Sequence, residues 1–114
     1  MAVQYNVEID QGADWFLNVT YENPAGTPVN ITNYTGALQL RSLPSDSNYV
    51  LSLTTGSGIT ITGASGLVAV HATANQTRDI DEGVYYYDLE ITSPQSIVTR
   101  LVQGQAVVSA EVTR

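Results

Sequence analysis

His71 is the single histidine of the chain. It sits in the run Leu67-Val68-Ala69-Val70-His71-Ala72, with no second imidazole and no thiolate to share a metal or assist a nucleophile. A catalytic role would need Asp and Ser side chains to converge on it from other strands, so a strand histidine facing solvent or an interface is expected. Asp79, Asp81, Glu82 and Asp88 form the densest acidic group, and an oxygen-only set of this kind suits Ca²⁺. Their spacing lacks the regular acidic positions, mid-loop glycine and closing glutamate of an EF-hand, so a solvated turn is expected instead. Asp10 with Asp14, or Asp88 with Glu90, has the composition of a glycosidase acid and base. Residues two apart in a strand share a face, however, so Asp88 and Glu90 read as the polar side of a strand whose other face is Tyr87, Leu89 and Ile91. The glycines of Thr55-Gly56-Ser57-Gly58 and Gly63-Ala64-Ser65-Gly66 precede no lysine and open no helix, so they read as turns and not as phosphate cradles.

Absent residue types narrow the chemistry further. The chain has no cysteine, which removes disulfides, thiolate metal sites and cysteine nucleophiles together. Its four basic residues are all arginine, and the net charge of −7 leaves too few cations for binding along a nucleic-acid backbone. No catalytic, cofactor-binding or metal-ligating residue is expected, and no enzyme activity. The aromatic residues carry the one sharper site expectation. In Tyr85-Tyr86-Tyr87 the middle residue points opposite to its neighbours, so Tyr86 is expected to be exposed or interfacial while Tyr85, Tyr87 and Trp15 pack in the core. With Tyr21, Tyr34 and Tyr49, such residues would also suit a sugar-stacking platform.

The elements that must position these residues follow from period. Val3, Tyr5, Val7 and Ile9 alternate with polar residues, and so do Trp15, Leu17, Val19 and Tyr21. Further short runs cover Ala37 to Leu43, Tyr49 to Leu53, Ile59 to Thr62, Leu67 to Ala72, Tyr85 to Ile91, Ile97 to Val102 and Ala106 to Val112, most of them separated by Gly, Pro, Asn, Asp or Ser. One helical turn fits, over Ala74 to Ile80. About seven to nine strands at this spacing, with no long helical period, predict an all-β antiparallel sandwich forming a single domain over residues 1–114. A hydrophobic content of 43% against 13% charged residues argues against disorder. The amino terminus from Met1 to Glu8 has no leader pattern and no run is long enough to span a membrane, so a protein made in the cytoplasm without a signal peptide is expected. The Asn-x-Thr triplets at Asn18, Asn30, Asn33 and Asn75 are read as unmodified.

Asp81-Glu82-Gly83-Val84-Tyr85 is the most specific local pattern. It resembles the tyrosine corner of immunoglobulin-like (Ig-like) sandwiches, in which a tyrosine hydroxyl returns to backbone a few residues upstream, and it makes Asp81, Gly83 and Tyr85 the expected corner residues. Trp15 is not where antibody domains carry their tryptophan, so the likeness is to the architecture.

A longer string adds a second resemblance. It comprises Gly12-Ala13-Asp14-Trp15, Pro24 to Pro28 with Val29-Asn30-Ile31-Thr32, Ala37-Leu38-Gln39-Leu40-Arg41, Leu53-Thr54-Thr55, Ile59-Thr60-Ile61, Gly63-Ala64-Ser65-Gly66, Gly83 to Glu90, Val98 to Gly104 and Val108 to Arg114. Together these are similar to small β-sandwich structural proteins of tailed bacteriophages, related to domains of baseplate and tail-fibre proteins. The resemblance implies a non-enzymatic virion building block present in many copies, a tail, baseplate or fibre-attachment adaptor, with capsid decoration as the alternative and a carbohydrate-binding module behind both. Its partners would be other phage structural proteins, with neither nucleic acid nor membrane. The terminal runs Val3 to Ile9 and Ala106 to Val112 would then be edge strands available for docking.

Overall fold

The computed structural model describes residues 3–113. Met1, Ala2 and Arg114, which the readings of the two termini include, lie outside them. The described chain is mostly β. Its strands are β1 (Val3–Gln4), β2 (Val7–Asp10), β3 (Trp15–Thr20), β4 (Thr35–Arg41), β5 (Leu51–Thr55), β6 (Gly58–Thr62), β7 (Leu67–Ala72), β8 (Gly83–Thr92) and β9 (Val98–Ser109), with one short α-helix, α1 (Ala74–Arg78), and one 3-10 turn, Gly63–Ser65, which corrects the expectation that the glycines there open no helix. They run in the order β1-β9-β8-β4-β5-β6-β7-β3, with β2 also on β9, as a mixed, half-barrel sheet of sandwich-like topology.

The sheet is mixed, which corrects the expectation of a purely antiparallel one. β1 and β2 run parallel to β9, pairing Val3 with Val102 and Val7 with Ala106. These strands come from opposite ends of the described chain with no hairpin between them, so no tight turn imposes an antiparallel sense. The two expected strands at 97–102 and 106–112 are one, Val98–Ser109. Gly104 does not turn the chain. It lies mid-strand where the Tyr5–Asn6 backbone crosses so closely that a Cβ would overlap the Tyr5 carbonyl. The carboxy-terminal run is therefore not an edge: β9 lies between β8 and the β1/β2 segment. The edges are β1/β2 and β3.

Alternation fills one interior. Val7 and Ile9, Leu38 and Leu40, and Tyr87, Leu89 and Ile91 face inward from one side, and Trp15, Ile59, Val68 and Val70 from the other. Thr73 starts α1 with a capping box, its hydroxyl accepting from the Gln76 N–H while the Gln76 side chain accepts from the Thr73 N–H. The helix delivers the fully buried Thr77, whose hydroxyl donates to Ala13 O at 2.8 Å and accepts from the Gly12 N–H at 3.0 Å. Thr77 thus satisfies two backbone groups of the β2–β3 turn, the Gly12 N–H and the Ala13 carbonyl.

Candidate functional site

Strands β4, β8 and β9 carry their polar positions on one outer face, and cross-strand register sets these in rows. Gln39 stands opposite Asp88, and Asp88 opposite Gln103. Arg41 stands opposite Tyr86, and Tyr86 opposite Gln105. Gln4 and Asn6 extend the face at the β1/β2 edge, and Pro44 borders it from the loop after β4, around an open cleft of about 630 Å³.

A bulge completes the site. Register shifts between Leu89 and Glu90, so that Leu89 opposes Val102 while Glu90 opposes Arg100, leaving Leu101 as the extra residue. Leu101 and Val102 are consequently both buried. Without the extra residue Arg100 would share a face with Val102 and point at the core. With it, Arg100 joins Gln103 and Gln105 outside, where its Nε lies 3.4 Å from Asp88 Oδ2 and 3.7 Å from Glu90 Oε2. Its Nη1 donates to Gln103 Oε1 at 2.9 Å. Arg41 is held likewise, donating to Gln39 Oε1 at 2.6 Å and to Asp46 O at 3.0 Å. Asn6 Oδ1 accepts from the Gln105 N–H at 3.0 Å. Two guanidinium and two carboxylate groups balance across this part of the cleft, and planar amide, guanidinium and phenol groups supply donors and acceptors along rigid strands. Sequence reasoning placed only Tyr86, Asp88 and Glu90 on this face. The adjacent apolar pair Leu101-Val102 inside an alternating run was the available sign that Arg100 joins them.

The other expected residues are placed as follows. The Tyr85 hydroxyl donates to Asp81 O at 2.6 Å, so the bond uses the Asp81 backbone and not its carboxylate. Burial, and after it the Asp81 charge, pushes the Tyr85 phenol above its ordinary range. Gly83 has φ +151°, in the region that disfavours side chains, although a Cβ there would meet nothing closer than 3.8 Å. Tyr85→Phe is therefore expected to cost about 1 kcal/mol in urea denaturation with the fold retained, and an unchanged midpoint would show that the hydroxyl contributes nothing. Trp15 and Tyr87 are buried with Tyr85, Tyr86 is half-buried in the cleft, and Tyr49 is exposed.

His71 does not face a nucleophile. Its Nε2 lies 2.8 Å from Asp14 Oδ2, and its ring stacks on Phe16 at 4.4 Å between centroids. Asp14 Oδ1 accepts from the Ala74 N–H, the first residue of α1. The histidine hydrogen bond, and then this backbone bond, hold the Asp14 carboxyl below its ordinary range. Asp10 accepts from Ser109 Oγ at 3.0 Å and does not converge on Asp14. Among the described residues no three His, Cys, Asp or Glu side chains gather as a metal site, and no helix is long and apolar enough to cross a membrane.

No family model and no curated protein matches the chain. Among solved structures it is similar to the PmoD soluble domain from Methylocystis sp. (strain Rockwell), at 15% identity and a TM-score of 0.48, over 90% of this chain and 77% of that one. That neighbour is a bacterial protein, and neither a family model nor a curated protein of tailed phages matches, so the expected kinship with tailed-phage structural proteins is withdrawn. The readings that rested on it fall with it: the tail, baseplate or fibre adaptor, the capsid decoration protein, the phage partners and the multi-copy virion setting. The turn and strand patterns behind the resemblance are those any short-looped β-sandwich needs, so they reported architecture more than ancestry.

Proposed function

We propose that the chain is a non-enzymatic recognition domain of Ig-like form that binds a partner polypeptide on the polar face of β4, β8 and β9. The Ig-like reading draws support from the Tyr85 hydroxyl bond to the backbone of Asp81. The observation that carries the function is the side-by-side array of Gln39, Arg41, Tyr86, Asp88, Arg100, Gln103 and Gln105 on hydrogen-bonded strands around an open cleft. Side chains on strands are fixed better than those on loops, and Tyr and Arg are the residue types that anchor protein interfaces. Amide side chains offer both donors and acceptors, as a polypeptide backbone does. The amide, guanidinium and phenol groups that line the cleft support a recognition role.

The test is retention by immobilised protein from an extract of the source cells, comparing wild type with an Arg41→Ala/Tyr86→Ala double variant. Wild type is expected to retain a polypeptide in stoichiometric amount, and the variant at least about tenfold less at an unchanged thermal midpoint, the loss of one or two anchors. Retention that ignores both substitutions, or binding confined to glycans on an array, would contradict the proposal.

A further inference from the structure

The described arginines differ in what holds them. Arg100 lies against Asp88 and Glu90, at 3.4 and 3.7 Å, and Arg78 lies 3.3 Å from Glu111. Arg41 has no carboxylate paired with it among the described residues. Its Nη1 and Nη2 donate to two neutral oxygens, Asp46 O and Gln39 Oε1, which fix the direction of the guanidinium and leave its charge uncompensated. Other N–H groups of the fork have no acceptor. The side chain is half-buried and lines the cleft.

Register places two neutral donors in the same row. Tyr86 stands opposite Arg41, and Gln105 opposite Tyr86. Among the described residues, neither the Tyr86 hydroxyl nor the Gln105 side-chain amide makes a hydrogen bond. The rows toward Glu90, spaced about 7 Å apart along the strands, are already satisfied. There Gln39 accepts from Arg41, Gln103 accepts from Arg100, and Asp88 and Glu90 share the Arg100 charge. On the other side the outer face turns apolar: Val84 stands opposite Val107, and both are exposed.

We infer that the row of Arg41, Tyr86 and Gln105 is a carboxylate subsite, and that it takes an aspartate or glutamate side chain of a segment crossing the face. The inference rests on the polypeptide reading of the cleft and names what that polypeptide must carry. An incoming carboxylate supplies the counter-charge that Arg41 lacks and acceptors for the unused N–H and O–H donors beside it. The continuation of the face decides between a side chain and a chain end. An occupant running along the strands meets Val84 and Val107 on one side of the row and Asp88 and Gln103 on the other, so it passes over Arg41 without stopping there. In an extended segment, residues that face the sheet also recur about every 7 Å, so an aliphatic residue over Val84 and Val107 sets the acidic one two positions away. The net charge of −7 slows the approach of an acidic segment, but charges beyond about 8 Å are screened at physiological salt, and the pairing is decided at Arg41.

Selection of random twelve-residue peptides on the immobilised intact chain tests this, with the thermal midpoint of each variant measured alongside. Wild type is expected to enrich Asp or Glu two positions from Val, Ile or Leu. Arg41→Gln is expected to lose the acidic preference, and Arg41→Glu to exchange it for Lys or Arg, a reversal that an unfolded variant would not show. A selected peptide synthesised with an amidated carboxy terminus is expected to keep its affinity, and to bind at least about tenfold more weakly once its acidic residue is replaced by the corresponding amide. Enriched peptides with no acidic position, or a preference unchanged in Arg41→Glu, would overturn the inference and leave polypeptide recognition standing. Loss of binding on amidation alone would overturn it in favour of a chain-terminal carboxylate. No enrichment of any peptide over the Arg41→Ala/Tyr86→Ala double variant would contradict the polypeptide reading and the inference with it.

Discussion

Gly104→Val is expected to destabilise the fold by about 4 kcal/mol, the range reached when a close backbone crossing is blocked. The glycine pairs with Tyr87 on β8, and the Tyr5–Asn6 link between β1 and β2 passes directly over it. Any Cβ there overlaps the Tyr5 carbonyl oxygen, a backbone atom that cannot rotate aside. That carbonyl accepts from the Tyr87 hydroxyl at 2.6 Å, and the Tyr5 N–H donates to Gln103 O at 2.8 Å. Relief requires the amino-terminal strands to lift from β9, which draws Val7 and the fully buried Ile9 toward water. Urea denaturation of the variant measures it. A shift below about 1 kcal/mol would mean that the crossing relaxes without loss.

The second large effect is alkaline unfolding governed by Tyr87. Burial, with the neighbouring Tyr5 phenol as a smaller cause, pushes the Tyr87 phenol up to about 12. In the unfolded chain it ionises near the ordinary value of about 10. Below pH 10 neither state loses the proton and the contribution is intact. Between pH 10 and 12 the unfolded state releases it while the folded state keeps it, so stability falls as pH rises. The loss reaches on the order of 2 kcal/mol at the top of that window, at up to about 1.4 kcal/mol for each pH unit. Tyr85, raised in the same direction, steepens the fall. Denaturant midpoints followed from pH 8 to 12 are expected to drop less steeply for Tyr87→Phe than for wild type, although the variant starts lower for want of the Tyr5 hydrogen bond. Parallel curves would contradict the assignment.

These two effects mark what the sequence could and could not convey. Period two gave the strands and their inward residues, because burial on one face acts locally on each strand: Tyr85, Tyr87, Leu89 and Ile91 were legible from their own neighbours. The parallel pairing of β1 and β2 with β9 was not, since it joins residues about a hundred positions apart through no local signal. The split of Val98–Ser109 into two expected runs, 97–102 and 106–112, has the same cause. A glycine in Gln103-Gly104-Gln105 reads as a turn until the segment that crosses it is known.

The candidate site shows the same division. Tyr86, Asp88 and Glu90 were placed on one polar face by alternation alone. Arg100 reached that face only through the Leu101 bulge, and Arg41, Gln39 and Gln103 became its neighbours only through register. Thr77 was read as part of a helical turn, and its burial against the β2–β3 turn was invisible without the contact from Gly12 and Ala13. Residues with reactive side chains drew attention first, and His71 led nowhere catalytic. The array that supports recognition is made mostly of amides and arginines, which carry no chemical motif.

The most direct test of polypeptide recognition on this array is to follow side-chain NMR signals while the retained polypeptide is added. The Gln39, Gln103 and Gln105 amide groups and the Arg41 and Arg100 Nε–H groups are expected to shift together and saturate at one equivalent, with Phe16 and His71 unmoved. Shifts confined to Phe16 and His71, or none in the cleft at saturation, would contradict the account.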